Sequence, residues 1–235
     1  MNETATDEDA IAYVTAKNYR NALKNPHAPY GMNIHIKDVL ESEIISSPLK
    51  SLEIAKPSDG AIVLVLTNKK TAEKESRNPI WIKGVGWASD SPNFDVRSWS
   101  HANYAKLCAK KAYKQAKIKN PMKDVDIFEV DDTYAYKELQ HLEGLDIYQH
   151  GCAGRAALEG NLDEDGYTPV NLSGGVLGVG NGHEVNGLMR IAELVYQLRG
   201  IAGQRQLNDI GTGLAFSWRG IPTATGALAI VSNES

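Results

Sequence analysis

Two glycine-rich turns in the second half of the 235-residue chain have the composition of an oxyanion-binding site. They cover residues 170–175 and 178–187, and a stripe of apolar residues with helical spacing follows them. A glycine-rich turn at a helix start leaves backbone N–H groups free at the positive end of the helix dipole, where they stabilise an oxyanion or a phosphate. The spacing of the glycines matches neither a Walker loop nor a dinucleotide-binding motif. The turns therefore predict an anion site of another kind.

Side chains suited to acid/base chemistry lie in the second of these turns and in two other loops. Asn181 can donate a hydrogen bond or cap a helix, and His183 can take up a proton near neutral pH. Asp131 and Asp132 follow directly after a predicted strand, and two neighbouring carboxylates raise one another's pKa. Each of these residues also has an ordinary structural interpretation as a cap, a turn residue or a hydrogen-bonded side chain. The third loop contains Trp218, which we expect to line a pocket.

The composition is that of a globular protein without the excess of basic residues that binds polyanions such as nucleic acids. Hydrophobic residues make up 42% and charged residues 23%, and the formal net charge is −4. We therefore expect no nucleic-acid partner. No apolar run approaches the length of a membrane span, and the polar, acidic start differs from a signal peptide, so we expect no membrane association and a cytoplasmic location. The two cysteines, Cys108 and Cys152, have no metal-ligand spacing, and we expect no metal site.

Residues 76–235 alternate between strand and helix patterns. The spacing predicts strands over 81–85, 125–130, 212–218 and 227–231, and helices over 99–117, 134–145 and 183–199. This order indicates a layered α/β domain with a mixed sheet. The candidate loops fall at strand ends and helix starts, where such domains bind their ligands.

Residues 1–75 predict a unit that is incomplete. A helix is expected over 7–23, followed by an irregular stretch over 24–57. Residues 61–66 then form an unbroken, β-branched-rich apolar run, which is typical of a strand buried on both faces. One helix and one strand are too few elements to cover such a strand, so a partner must complete this unit. The polar residues 67–78 suit a connector between domains.

Three motifs in sequence order resemble the signature of thiolases. The segments Asn171–Gly175, Gly178–Asn181 and Gly187–Gly200 are similar to the family's N-P-S-G-G, G-H-P-x-G and Q-L-R-G motifs. The resemblance is strongest to the sterol-carrier-protein-X-like and archaeal acetyl-CoA acetyltransferase branch. It covers essentially the whole chain but only the second part of a thiolase. The family's first half, with its nucleophilic cysteine, has no counterpart in this sequence.

The resemblance implies an α/β, thiolase-like layered fold with a mixed five-stranded sheet and helices, plus the tail of an incomplete N-terminal thiolase half. Residues 1–75 would be that remnant, and 76–235 the C-terminal thiolase domain. Coenzyme A would be a substrate, with no bound cofactor. The implied catalytic residues are His183, Asn181 and Asp131. The implied CoA-binding residues are Ser173, Gly174, Gly175, Gly182, Trp218 and Gly220. The implied partners are an N-terminal-half thiolase chain carrying the cysteine and a small zinc-ribbon/OB-fold protein.

The sequence departs from the thiolase pattern at three places. The family has Asn or His in the turn of Asp131, the G-H-P histidine at Asn181, and a Cys-x-Gly acid/base at 218–220. An amide cannot take a proton from a thiol near neutral pH, and an indole is no general base. Residues 180–186 resemble instead the G-Y-x-H-G-x-N pattern of thiolase-like lyases. Three hypotheses remain open: a split acyltransferase subunit, a retro-aldol lyase on a CoA thioester, and a non-catalytic CoA-binding or scaffold subunit.

Overall fold

A computed structural model describes residues 6–220 and 224–235. The helices are α1 (Glu8–Ala22), α2 (Ile36–Leu40), α3 (Lys69–Glu75), α4 (Asn103–Ala116), α5 (Pro121–Asp124), α6 (Ala135–Gly144), α7 (Ala153–Leu158), α8 (Gly175–Val179) and α9 (Asn186–Leu198). The strands are β1 (Ile44–Ser46), β2 (Leu49–Lys50), β3 (Trp81–Ser89), β4 (Ile127–Glu129), β5 (Thr212–Arg219) and β6 (Thr225–Ser232). None of the helices in the described part of the chain has the length and hydropathy needed to cross a bilayer.

The main sheet has the order β3-β6-β5-β4, and it is mixed as predicted. The β3–β6 and β5–β6 pairs are antiparallel, whereas β4 and β5 are parallel. The fold class is confirmed, but the sheet in the described residues has four strands rather than five. The position beside β4 is filled by residues 169–171, where Phe128 donates its N–H to the Pro169 carbonyl and accepts from the Asn171 N–H. Two hydrogen bonds at one residue do not extend this segment into a strand.

Helices cover the two faces of the sheet. Leu214 and Phe216 of β5 point into the larger core cluster, to which α4 contributes, whereas Ala215 points into a second cluster with Leu194 of α9. This alternation is the period-2 pattern of a strand buried on both faces. The predicted apolar side of α4 is confirmed at Cys108, which is fully buried.

The first helix is confirmed, and it lies at the centre of the chain's packing. Asp7 caps α1 by accepting the Ala10 N–H at 2.9 Å. The helix contacts α2, α6, α7 and α8, so its Val14 is fully buried. Three polar residues of this helix, Thr15, Lys17 and Asn18, are buried as well. The packing therefore places α1 against elements that come from the second part of the sequence.

The strand expected over residues 61–66 does not form. The segment has no strand partner among the described residues, and Val63 and Val65 are 85% and 89% exposed. The prediction was wrong for this structure because a strand requires neighbours, and the described chain supplies none here. Its Ile62 and Leu64 are half-buried, so exposure alternates along an extended segment. The connector that follows contains α3.

The helix expected to begin at His183 begins three residues later. A short 3-10 turn spans His183–Val185, and α9 starts at Asn186. Asn181 therefore does not cap α9. Its Oδ1 accepts the His183 N–H at 3.0 Å, which closes a tight turn just before the helix. The additional helix α8 interrupts the glycine-rich region, because residues 175–179 satisfy their own backbone hydrogen bonds.

Candidate active site

A fully buried arginine links the carboxyl end of β4 to the end of β5. Arg190 extends from α9, and its Nη2 donates to Asp131 Oδ2 at 3.0 Å. Its Nη1 donates to the Ser217 hydroxyl at 3.3 Å, and Nη2 lies 3.8 Å from Asp132 Oδ1. All three ionic side chains are inaccessible to solvent. The arginine thus fixes the loop after β4 against β5 and neutralises two carboxylates in a dry environment.

The second carboxylate of this pair, like the first, is buried and bonded to internal partners. Asp132 Oδ1 accepts the Val176 N–H at 2.8 Å, and its Oδ2 accepts from Leu177 and from the Asn18 amide. Burial raises the pKa of Asp132, and the Arg190 guanidinium opposes that rise. Asp132 therefore joins α1, α8 and the β4 loop, which is a structural role.

The turn that contains Ser173 is buried behind the site. The Ser173 hydroxyl donates to Glu129 Oε2 at 2.6 Å, and its N–H donates to Oε1 at 3.1 Å. Burial, together with the nearby charge of Glu193, raises the pKa of Glu129 to about 8. Gly174 has a φ of 95°, and a Cβ there would lie 2.5 Å from a side-chain atom of α1. Ser173, Gly174 and Gly175 are all buried, so three of the six residues predicted to bind CoA do not face solvent here.

Asn181 and His183 form a turn beside the 56–58 segment. The Asn181 backbone donates to the Lys56 carbonyl at 2.7 Å and accepts from the Ser58 N–H at 3.1 Å. Its side-chain Oδ1 accepts from Asn186 Nδ2 at 2.8 Å in addition to the His183 N–H. The side-chain oxygen is thus used twice, and its Nδ2 donor makes no hydrogen bond within the described residues. His183 has a φ of 56° and is exposed.

The end of β5 lies near both the Asp131 loop and the Asn181 turn. The Trp218 backbone N–H donates to Asp131 Oδ2 at 3.4 Å. The next residue, Arg219, reaches Glu184 across 3.9 Å, and Glu184 follows His183 directly. Gly182 and Gly220 are half-buried near these two turns. The predicted residues Asp131, Asn181, His183 and Trp218 therefore lie along one edge formed by the ends of β4, β5 and the start of α9.

A lysine outside the sequence motifs lies against the Trp218 indole. Lys137 Nζ is 4.5 Å from the centre of that ring. It donates to Gln140 Oε1 at 2.6 Å and to the Tyr104 hydroxyl at 3.4 Å. The signal was present in the sequence, because Lys137, Gln140 and His141 have the i, i+3, i+4 spacing of one helix face directly after the Asp131 loop.

The thiols of the chain lie outside this edge. Cys108 is buried in α4, its Sγ donates to the Gly226 carbonyl at 3.1 Å, and burial raises its pKa to about 11. Cys152 is exposed at the start of α7. A buried thiol with a raised pKa is a poor nucleophile, because the thiolate is the reactive form. Within the described ranges, no group of His, Cys, Asp and Glu side chains has the arrangement of a metal site.

Comparison with known proteins places this edge in context. Residues 86–233 match the family model described as Thiolase C-terminal domain-like. The chain is 32% identical to an acetyl-CoA acetyltransferase of Methanothermobacter thermautotrophicus over 98% of its own length and 59% of that protein. It is 27% identical to sterol carrier protein 2 of Gallus gallus over 88% of its own length and 39% of that protein.

A solved structure described as Ltp2-ChsH2(DUF35) aldolase superposes with a TM-score of 0.90 at 26% sequence identity. That alignment covers 100% of this chain and 61% of the other. The chain therefore spans between 39% and 59% of the two curated relatives and a similar share of the solved structure.

Proposed function

Since this chain belongs to the thiolase C-terminal domain family, as its motifs predicted, we propose that it is the second half of a thiolase-type enzyme that acts on acyl-CoA thioesters. The observation that carries the proposal is the meeting of Asp131, Asn181 and Trp218 at one edge. They are the three places where the sequence carries other side chains than thiolases do, and they are far apart in the sequence. Arg190 joins the Asp131 loop to the end of β5, and Arg219 lies 3.9 Å from Glu184 of the Asn181 turn.

The reaction that we propose makes or cleaves a 3-ketoacyl-CoA through an acyl-enzyme. The nucleophilic cysteine belongs to a partner chain that resembles a thiolase N-terminal half. The Asn181 amide donates to the thioester oxygen and so stabilises the enolate or oxyanion, while the neighbouring His183 takes or returns a proton. Asp131 holds the loop in place through Arg190. CoA enters as a substrate, and the turn residues Gly182 and Gly220 lie beside its path.

The bare apolar segment supports the proposed partner chain. Residues 61–66 leave Val63, Val65 and Leu66 at least 75% exposed. A cavity of about 890 Å³ separates this segment from α9, and Ile82 of the edge strand β3 lines it too. Burying apolar surface stabilises by about 25 cal/mol per Å², so an uncovered run of β-branched residues favours pairing with another sheet. We propose that the partner's strands flank residues 61–66.

The first experiment identifies the chains that accompany this protein in its native host. Native mass spectrometry of the purified complex is expected to show a stoichiometric partner of about one α/β domain with a cysteine at a helix start. A smaller zinc-ribbon/OB-fold protein is the second partner that we propose, in line with a structural neighbour described by two component names. A folded homo-oligomer without other chains would contradict the split enzyme.

The second experiment measures CoA-dependent cleavage of a 3-ketoacyl-CoA by that complex. The double variant Asn181→Ala with His183→Ala is expected to lose activity about 100-fold or more, since one oxyanion donor and one acid/base group each contribute on that scale. The control carries Asn208→Ala with His35→Ala, two exposed residues of the same types. Full activity of the first double variant would overturn the roles proposed for Asn181 and His183.

A retro-aldol lyase on a CoA thioester is the second candidate function. It is favoured by the aldolase described above, which matches this chain over its full length with a TM-score of 0.90. Such an enzyme needs no cysteine and releases a ketone or aldehyde without consuming free CoA. Product formation that does not depend on added CoA would therefore favour the lyase. Turnover by the partner alone would instead favour a non-catalytic CoA-binding or scaffold role for this chain.

A further inference from the structure

The amine of Lys137 lies in an aromatic enclosure beside the proposed active site. Lys137 belongs to the first turn of α6, and its Nζ is 4.5 Å from the centre of the Trp218 indole and 5.4 Å from that of the Tyr136 ring. The Tyr104 ring lies 5.9 Å away on a further side. The lysine is half-buried, so its amine is partly shielded from water without being sealed inside the core. Its position is next to Trp218, where thiolases carry their late acid/base.

A chain of hydrogen bonds with a single direction orients this amine. The His141 Nδ1–H donates to the Asp131 carbonyl at 2.9 Å, and its Nε2 accepts from the Tyr104 hydroxyl at 2.9 Å. Burial lowers the pKa of His141 to about 3, so the ring is neutral and this tautomer is fixed. The Tyr104 oxygen, having donated its proton to the imidazole, can only accept from Lys137. Gln140 holds a second N–H of the amine.

No carboxylate in the described part of the chain forms an ion pair with this amine. Burial lowers the pKa of Lys137 to about 8, and the charge of Asp131 acts in the opposite direction. The other titratable groups around it are His141, Tyr136 and Tyr104. The imidazole is neutral, and burial raises the pKa of both tyrosines, so they stay protonated. The side chain of strand β5 that contacts the amine is the Trp218 indole, which does not titrate. The amine is thus the group on this side that gains and loses a proton near neutral pH.

Resting on the function proposed above, we propose that Lys137 is the catalytic acid/base that contacts the α-carbon of the acyl-CoA thioester. It fills the role of the thiol whose place Trp218 occupies. When the carbon–carbon bond breaks, its electron pair forms a thioester enolate. The Lys137 ammonium then transfers a proton to the enolate α-carbon, so that an N–H bond breaks, a C–H bond forms and the thioester carbonyl is restored. The neutral amine regains a proton from the CoA thiol in thiolysis, or from the substrate hydroxyl in retro-aldol cleavage.

The reverse of the proton-transfer step provides a test that needs no carbon–carbon chemistry. The native complex in D₂O is expected to exchange the α-hydrogens of acetyl-CoA, because the neutral amine removes a proton and returns a deuteron. Mass spectrometry follows the exchange. The rate is expected to rise with pH up to about 8, where the amine becomes neutral, and then to level off.

Two variants separate acid/base chemistry from a merely structural charge. Lys137→Arg keeps a cation over the indole and a donor for Gln140, but a guanidinium stays protonated at all working pH values. Lys137→Met keeps the packing of the aliphatic stem. Both are expected to lose exchange by about 100-fold or more and to lose the pH-dependent rise. The control is Lys111→Arg, which changes a lysine of α4 that lies 5.3 Å from the Trp87 ring. Thermal melting and partner binding verify that each variant is folded.

The outcomes are distinct. If the wild-type complex exchanges or cleaves while Lys137→Arg does so within about threefold of it, the lysine is only structural and this inference is overturned. If the wild-type complex neither exchanges α-hydrogens nor acts on any CoA thioester, the proposed function itself fails, and this inference fails with it. Loss of exchange in both Lys137 variants, with the Lys111 control unchanged, supports the assignment.

Discussion

Replacing Arg190 by methionine tests whether the buried arginine holds the candidate active site together. The guanidinium is inaccessible to solvent and serves Asp131 at 3.0 Å, Ser217 at 3.3 Å and Asp132 at 3.8 Å. Methionine fills much of the space but leaves two buried carboxylates without a countercharge. Breaking a buried ion pair by removing one partner costs about 3–5 kcal/mol. At about 2–4 °C per kcal/mol for a chain of this size, the melting temperature should fall by about 6–20 °C.

The assay is thermal unfolding of the purified protein at two pH values. The loss in Arg190→Met should be largest near pH 8 and should shrink near pH 5, because protonation of the stranded carboxyl groups removes the uncompensated charge. Adding Asp131→Asn to the variant should restore part of the stability, with a coupling of about 0.5–3 kcal/mol. The control is Arg155→Met, which removes an exposed pair with Glu159 and should leave the melting temperature unchanged.

One result would refute this reasoning. If Arg190→Met melts within about 2 °C of the wild type near pH 8, the arginine does not neutralise the two carboxylates. The link between the β4 loop and β5 would then depend on backbone contacts alone. Cleavage activity should fall together with stability in the same variant, because the Asp131 loop and the end of β5 at Ser217 would lose their common anchor.

Three further predictions follow from other parts of the fold. Glu129→Gln should flatten the pH dependence of stability. The pKa of the native Glu129 carboxyl is raised to about 8, so its stabilising contribution is complete below about pH 4.5 and is lost as the pH rises through about 8. The glutamine amide does not titrate and keeps the hydrogen bonds of the protonated acid. The prediction is contradicted if the urea midpoints of the two proteins change by the same amount between pH 5 and pH 9. Val65→Asp should abolish binding of the partner chain in native mass spectrometry without changing the melting temperature, because the Val65 side chain is 89% exposed. The control is Val96→Asp, at a residue elsewhere that is 67% exposed. Equal partner binding by both variants would exclude residues 61–66 as the interface. Gly174→Ala should destabilise the protein by at least about 2 kcal/mol, because the φ of Gly174 is 95° and a Cβ there would lie 2.5 Å from an α1 atom. The control Gly200→Ala, with a φ of 71° and open space around it, measures the cost of the backbone conformation alone. Equal losses of stability in both variants would show that the contact with α1 contributes nothing.

Much of the fold was predictable because its patterns are local. The apolar stripe of α4 and the alternation along β5 depend on spacings of a few residues, which are readable without tertiary contacts. Residue type and loop position indicate Asp131, Asn181 and His183 as candidates in the same way, and their roles stay a prediction. The exact start of α9 was not predictable, because Asn181 accepts hydrogen bonds from His183 and Asn186 rather than capping the helix.

The burial of charge could not be read from the sequence. Lys17 and Arg190 are both almost fully buried, although arginine and lysine are usually exposed. Each is compensated by partners far away in the chain: Lys17 lies 3.1 Å from Glu138, and Arg190 contacts Asp131. Residues so distant in sequence form their pair without any local spacing that would reveal it. For the same reason the composition of the Ser173 turn predicts a ligand site, whereas in the structure its hydroxyl donates to Glu129.

The sequence by itself determined the α/β order of elements and the family, because periodicity and short motifs are properties of neighbouring residues. Only the tertiary structure decided the strand order that sets β6 between β3 and β5, and the single edge that joins Asp131, Asn181 and Trp218. It also decided the enclosure of Lys137 and the exposure of residues 61–66. These features depend on which distant segments are in contact and on whether a strand has a neighbour to pair with. Such contacts, and the free energy they contribute, exist only in the folded chain.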